Sequence, residues 1–382
     1  MQPFHIDLTV SFRSYNEMIC AAQDHFIRLH LHRDMLIEAF RGLEHLETID
    51  LRDFNAWRSR DQTSWHSWGS QSVLQETGRE PSLCRGPHYV RDLFSTLLYS
   101  LGIAGRKILR LETPLRDYEA YLQDKAFCVT DALFPVLNHV LRNLEVLHLA
   151  VSMTCGGFYT SHWLRHFLNC TPNLKHLRLN FTRDKGEEDG VFLEWLAAES
   201  DPARLPPHPY RAAIAGPSPV ELSRLVTLEL GQLDIHPKDL LAVIKKFGPK
   251  LEQITLRWIG LRRDQTLNLD EDNRSWTQFF EELASISLPS LKGFSLTNPS
   301  ILYYAWIRRI PLDDRGVSRT WSYVDQDSSS VFFHTLGEKL LYKPSKAKRT
   351  GPTADSDNGS NDESDYESGT ESDDSSIPMY YG

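Results

Sequence analysis

The sequence predicts an α/β chain of recurring strand–helix units, and three observations carry that reading. A line of spaced leucines recurs along the chain. Each copy ends in a strict alternation, so that alternate side chains face opposite ways, as on a strand. Between the copies lie stretches whose apolar residues fall at helical spacing. Leu141, Leu144, Leu147 and Leu149 define the pattern Leu-x-x-Leu-x-x-Leu-x-Leu. It returns at Leu43, Leu46, Ile49 and Leu51, at Leu222, Leu225, Leu228 and Leu230, and at Leu288, Leu291, Phe294 and Leu296. Shorter copies stand at Leu174–Leu179 and Leu251–Leu256, and a degenerate one at Leu109 and Leu111. This is the pattern of a leucine-rich-repeat solenoid, with parallel strands on a concave face and helices on the convex one. The final strand leucines fall at 51, 111, 149, 179, 230, 256 and 296. All of their steps but that from 230 to 256 are wider than the roughly 20–29 residues of regular repeats, so the expected array is irregular and spans residues 1–299.

Taken in order, Asn16 is placed to cap a helix with Met18, Ile19, Ala22, Phe26 and Leu29 inward. A second stripe, Leu36, Ala39 and Phe40, ends at Gly42 and feeds the first strand. The alternative is that these early helices form a small domain of their own. Residues 53–88 are rich in Ser, Arg, Gln, Gly and Trp and read as a loop insertion, either functional or poorly ordered. Helix signals return at Asp92, with Leu93, Phe94, Leu97, Leu98 and Leu101 on one face and Gly102 behind them. Thr160 opens a short helix with Trp163, Leu164, Phe167 and Leu168 inward, and Pro172 bars its continuation. Phe192, Trp195 and Leu196 give another. Residues 200–219 hold six prolines, which remove backbone donors and read as a second insertion. Pro237 suits the first turn of a helix that ends at Gly248, and Ser275 with Gln278 has the spacing of a capping box. Beyond residue 299, Thr320–Val324 and Ser330–Thr335 flank a polar turn. They predict a hairpin that, with Trp306 and Trp321, caps the array over residues 300–342. Residues 343–382, nearly all polar, predict a disordered acidic tail.

The formal net charge is −9. Residues 350–382 hold nine acids and no Lys or Arg, so the remaining 42 acids balance the 42 bases of residues 1–349. No basic excess remains to drive nucleic-acid binding by counterion release. Leu93–Ala104, the most apolar stretch, is too short to span a bilayer. The five cysteines are scattered, with no Cys-x-x-Cys, and suit free thiols in a reducing compartment. With no leader-like start, the expectation is a soluble cytoplasmic or nuclear monomer without a membrane partner. Lys343, Lys346, Lys348 and Arg349 are a weak nuclear-import patch.

The residues that alternate with the strand leucines are the candidate binding surface. They are Asp50, Arg52, Arg110, His148, Arg178, Asn180, Glu229, Thr255, Arg257, Ser295 and Thr297. Mixed in sign and set on strands, they suit a protein surface or peptide with its own mixed charges. His162, His166 and Cys170 share one side of a helix, but lack a fourth ligand. They read as surface histidines beside a core stripe, as do His25, His30 and His32. Phosphate-loop, nucleophile-elbow, dinucleotide-turn and zinc-protease motifs are all missing from the sequence. The expectation is therefore a non-enzymatic protein with no cofactor and no metal. In the tail, Ser360, Ser364, Ser368, Thr370 and Ser372 precede acids and are phosphorylation candidates.

Several stretches resemble a fungal family of F-box and leucine-rich-repeat-like proteins. They are Leu43–Asp53, Trp65–Gly69, Phe94–Leu101, Asn169–Phe181 and Leu225–Trp258, and the resemblance covers residues 15–300. It implies the substrate-binding part of a ubiquitin-ligase receptor, with a protein on the concave face and a cullin-type ligase adaptor as second partner. No Leu-Pro-x-Glu-like turn of an F-box is recognisable ahead of the first expected helix. The alternative is a stand-alone repeat scaffold with no ligase link.

Overall fold

The computed structural model describes residues 25–52, 87–115, 121–153, 161–182, 188–199, 217–262, 275–303, 306–309, 320–324 and 329–339. Residues Met1–Tyr342 form one compact unit and Lys343–Gly382 a second; the second lies outside the described residues, as do residues 53–86 and 200–216 of the expected insertions over 53–88 and 200–219, and the phosphorylation candidates. The fold is mixed α/β, with a mostly parallel sheet. Its strands are β1 (Thr48–Asp50), β2 (Arg110–Glu112), β4 (Val146–Ser152), β5 (His176–Phe181), β6 (Thr227–Gly231), β8 (Gln253–Arg257) and β10 (Gly293–Thr297), adjacent in that order and parallel. The short β3 (Leu122–Gln123) pairs with the far end of β4.

The helices are α1 (Leu31–Gly42), α2 (Pro87–Ala104), α3 (Phe134–Asn143), α4 (His162–Asn169), α5 (Glu188–Ala197), α6 (Pro237–Phe247), α7 (Ser275–Ser285) and α8 (Ser329–Lys339). Pro237 does stand in the first turn of α6, where its missing N–H leaves no carbonyl without a partner. Gln278 does not fold back into a capping box; its amide donates forward to Glu282 at 3.0 Å. At α4 the N-cap, Ser161, has φ 66° and makes no capping bond. Asp124 replaces it, its carboxylate accepting the N–H of Trp163 at 3.2 Å and of Leu164 at 2.9 Å.

One register runs across the sheet. Leu111, Leu147, Leu177, Leu228, Ile254 and Phe294 lie side by side, and Leu149, Leu179, Leu230, Leu256 and Leu296 form the next row. All are at most 1% exposed. They join a single core with the inward residues of the helices, among them Phe94, Val140, Phe167, Phe192, Ile244 and Phe280. The helices therefore pack on the leucine side of the sheet, where burial of about 25 cal/mol per Å² of apolar surface drives the assembly. The alternate residues point to the other side and are mostly half-buried or exposed.

A corner recurs at the ends of three strands. Gln232, Trp258 and Asn298 each follow β6, β8 or β10 and each has φ between 52° and 59°. Each turns the chain into a strand of a second, small sheet: β7 (Asp234–Ile235), β9 (Gly260–Arg262) and β11 (Ser300–Tyr303), parallel in that order, with β12 (Trp306–Arg309) antiparallel to β11. The corners are joined to one another: Gln232 N–H donates to Arg257 O at 2.8 Å and Trp258 N–H to Thr297 O at 2.7 Å.

At the far end, β13 (Thr320–Val324) runs antiparallel to β10. The expected hairpin does not form. Its second strand, Ser330–Thr335, is instead part of helix α8. The three-residue step from Phe333 to Leu336 puts both on one helical face, and both are buried. Phe333 stacks on Phe280 of α7 at 6.1 Å and meets Phe294 of β10 edge-on at 5.1 Å. The cost of burying those rings on a strand edge is avoided by seating them between a helix and a strand. Likewise Pro87 and His88, expected in a loop, begin α2.

Candidate functional site

The polar side of the sheet brings most of the predicted surface residues together. Register sets Asp50, Glu112, His148, Arg178, Glu229, Thr255 and Ser295 in one row across seven strands. The next row holds Ala150, Asn180, Gly231, Arg257 and Thr297. Neighbours in a row stand about 4.8 Å apart, within side-chain reach.

These residues are linked by charge. Arg110 donates to Glu112 Oε1 from Nη2 at 2.9 Å and from Nε at 3.1 Å. Glu112 Oε2 lies 3.5 Å from His148 Nδ1. His148 Nε2 and His176 Nδ1 are 3.3 Å apart, and His176 Nε2 donates to Glu229 Oε1 at 2.9 Å. Arg178 Nε and Arg257 Nη2 each stand 3.7 Å from Glu229 Oε2, and Arg52 pairs with Asp50 at the sheet edge. Two carboxylates thus bracket two imidazoles in series across four strands.

The proton positions follow from the donors and acceptors. A carboxylate accepts only, so His176 Nε2 carries a hydrogen. His148 Nε2 and His176 Nδ1, 3.3 Å apart, then share a single hydrogen, carried by one ring or the other. Burial, then the charge of His176, pushes the His148 pKa down to about 4, against the pull of Glu112. Burial alone would raise both glutamates. At Glu112 the Arg110 hydrogen bond and the nearby His148 and arginine charges outweigh it; at Glu229 the His176 hydrogen bond and the Arg178 charge do. Both carboxyls therefore titrate below their ordinary range.

Beside this chain, Arg52, Glu112, Thr113, His148, Arg178 and Asn180 line a hollow of about 230 Å³. Two predicted residues, Thr255 and Ser295, are not among those that line it. Thr255 is buried, 3% exposed. Ser295 is half-buried at the far end of the sheet, opposite Ser322 of β13. Two members of the network, Glu112 and His176, were not in the predicted set. The signal was present, because each stands two residues from a predicted one on the same strand, Arg110 and Arg178.

His162, His166 and Cys170 do share one flank of α4, with His166 Nε2 at 4.0 Å from Cys170 Sγ. Burial holds the thiol above its usual pKa and, with the charge of His162, holds His166 below its own. Both shifts favour neutral groups, and a thiol is a poorer metal ligand than a thiolate. Among the described residues no group of three or more His, Cys, Asp or Glu could hold a metal ion. No described helix is long and apolar enough to cross a membrane. No family model matches the chain, and no curated protein matches it.

Proposed function

We propose that this chain is a non-enzymatic interaction protein, an irregular leucine-rich-repeat solenoid whose concave sheet face binds another protein. One observation carries the reading. The sheet side turned away from the helices bears a row of charged and polar residues that hold one another in fixed positions. Arg110, Glu112, His148, His176, Glu229, Arg178 and Arg257 are linked by contacts of 2.9–3.7 Å. Side chains set on strands and braced by their neighbours lose little freedom on binding, so a partner's polar groups meet an ordered surface. The solenoid part of the proposal is supported by the common register of the strand leucines and by the corner that recurs at Gln232, Trp258 and Asn298.

The resemblance to F-box and leucine-rich-repeat-like proteins would make the bound protein a ubiquitin-ligase substrate. One experiment addresses both the face and the ligase link: affinity capture from the native organism's lysate, read by mass spectrometry. It compares the wild type with Asn180→Trp, which fills the polar side of the sheet at a half-buried position. Partners held by the wild type and lost with Asn180→Trp are the expected result; a partner set unchanged by that substitution overturns the proposal. Recovery of a cullin and its adaptor separates a ligase receptor from a stand-alone scaffold.

A further inference from the structure

The middle of the polar face has more cation than it uses. Arg178 and Arg257 share one carboxylate oxygen, Glu229 Oε2, at 3.7 Å each, beyond the range of a hydrogen bond. That oxygen is buried and accepts no hydrogen bond, while His176 engages the other at 2.9 Å. Each guanidinium thus feels the charge of Glu229 but keeps its N–H donors uncommitted. Their side chains are 28% and 46% exposed. The two coordinating nitrogens cannot be more than about 7.4 Å apart, twice the 3.7 Å that each stands from the same oxygen. Counting Arg178 and Arg257 against Glu229, the group carries one net positive charge.

Asn180 completes the group. It lies two residues beyond Arg178 on β5, and register puts only Gly231 between it and Arg257. A Cβ at Gly231 would overlap Asn180 Oδ1, so the glycine is what lets the carboxamide lean across the sheet toward β8. The hollow beside Arg178 and Asn180, about 230 Å³, leaves room for a side chain on the other flank.

We infer that Arg178, Arg257 and Asn180 form a clamp for a carboxylate, supplied by an Asp or Glu side chain in an acidic segment of the partner protein. The inference rests on the sheet face being the protein-binding surface. A planar guanidinium offers paired donors that match the two oxygens of a carboxylate, and a charged pair is stronger than a neutral one. A single carboxylate also balances the single excess charge, whereas a phosphate dianion would not. The balanced charge of residues 1–349 favours local recognition of this kind over a broad polyanion.

The test is fluorescence anisotropy on the full chain with a labelled octaglutamate peptide, and an octaglutamine peptide as control. Octaglutamate should bind at low salt, octaglutamine at least tenfold more weakly. Arg178→Gln with Arg257→Gln should weaken octaglutamate at least tenfold. Asn180→Asp, which keeps both arginines and adds a negative charge, should weaken it at least fivefold and guards against misfolding of the double variant. Equal binding of octaglutamate to wild type and variants overturns the inference, as does half-displacement of bound octaglutamate by inorganic phosphate at a concentration below the one at which the peptide itself half-saturates the protein. The double arginine variant also separates this inference from the reading beneath it. A partner lost with Asn180→Trp but kept by the arginine variant refutes the clamp alone. A partner kept by both refutes the binding face.

Discussion

Acid should weaken this fold before Glu112 and Glu229 begin to protonate, and His148 is the reason. Its pKa in the folded chain is about 4, against an ordinary 6.5. A group with a depressed pKa that is charged when protonated takes its proton later in the folded chain than in the unfolded one. The unfolded state therefore binds more protons between pH 6.5 and 4, and stability falls as pH falls through that window. The full effect of about 2.5 pH units is roughly 3 kcal/mol at 1.36 kcal/mol each, and about 2 kcal/mol of it is lost between pH 7.5 and 5. Glu112 and Glu229 have lowered pKa values, so the stability they contribute is lost only on further acidification. Between pH 7.5 and 5 a comparison with a His148 variant isolates the histidine, because the raised carboxyls of Asp124 and Asp239 are common to both proteins. Urea unfolding of the wild type and of His148→Gln at both pH values makes the comparison, and His166, also depressed, cancels between them. The wild type should lose about 2 kcal/mol more than the variant on going to pH 5. Parallel pH dependences would refute the argument that burial beside His176 keeps His148 neutral.

Three substitutions test the packing. Leu147→Asp places a charge at a fully buried position between Leu111 and Leu177; it should abolish the cooperative thermal transition followed by circular dichroism, since an unpaired buried carboxylate costs several kcal/mol. Lys246→Met removes an ammonium that donates to the carbonyls of Leu196 at 2.9 Å and Val220 at 2.8 Å and also to Ala198. It should lower unfolding free energy by about 2–3 kcal/mol through the loss of charged hydrogen bonds. Phe333→Ala should cost about 3–5 kcal/mol, measured by urea unfolding, because the ring sits between α7 and β10; a loss under about 1 kcal/mol would mean that α8 does not pack there.

The strands were legible where leucines alternate with polar residues and one face is buried, because a period of two is a strong signal. Leu147 and Leu149, Leu177 and Leu179, and Leu228 and Leu230 all fell where the alternation put them. The small second sheet was not legible. Its strands β7 and β9 are two and three residues long, and the corners before them depend on left-handed backbone at Gln232 and Trp258, residues that give no glycine-like warning. Helix α8 was misread because Val331, Phe332 and Phe333 are strong strand formers; packing against Phe280 and Phe294 decided otherwise. At the candidate site, the alternation found His148, Arg178, Glu229 and Arg257 one strand at a time. The chain from Glu112 through both histidines to Glu229 needed the register between strands, which no single segment encodes.

Site-specific photo-crosslinking in the native lysate tests the binding face most directly. A benzoylphenylalanine would replace Asn180 or Thr227 on the polar side of the sheet, and Glu281, an exposed position on α7, on the other side. The same protein captured from both sheet positions and absent from Glu281 is the predicted result. A partner captured from Glu281, with both sheet positions silent, would place recognition on the helices and contradict the claim that the polar face of the sheet is the binding surface.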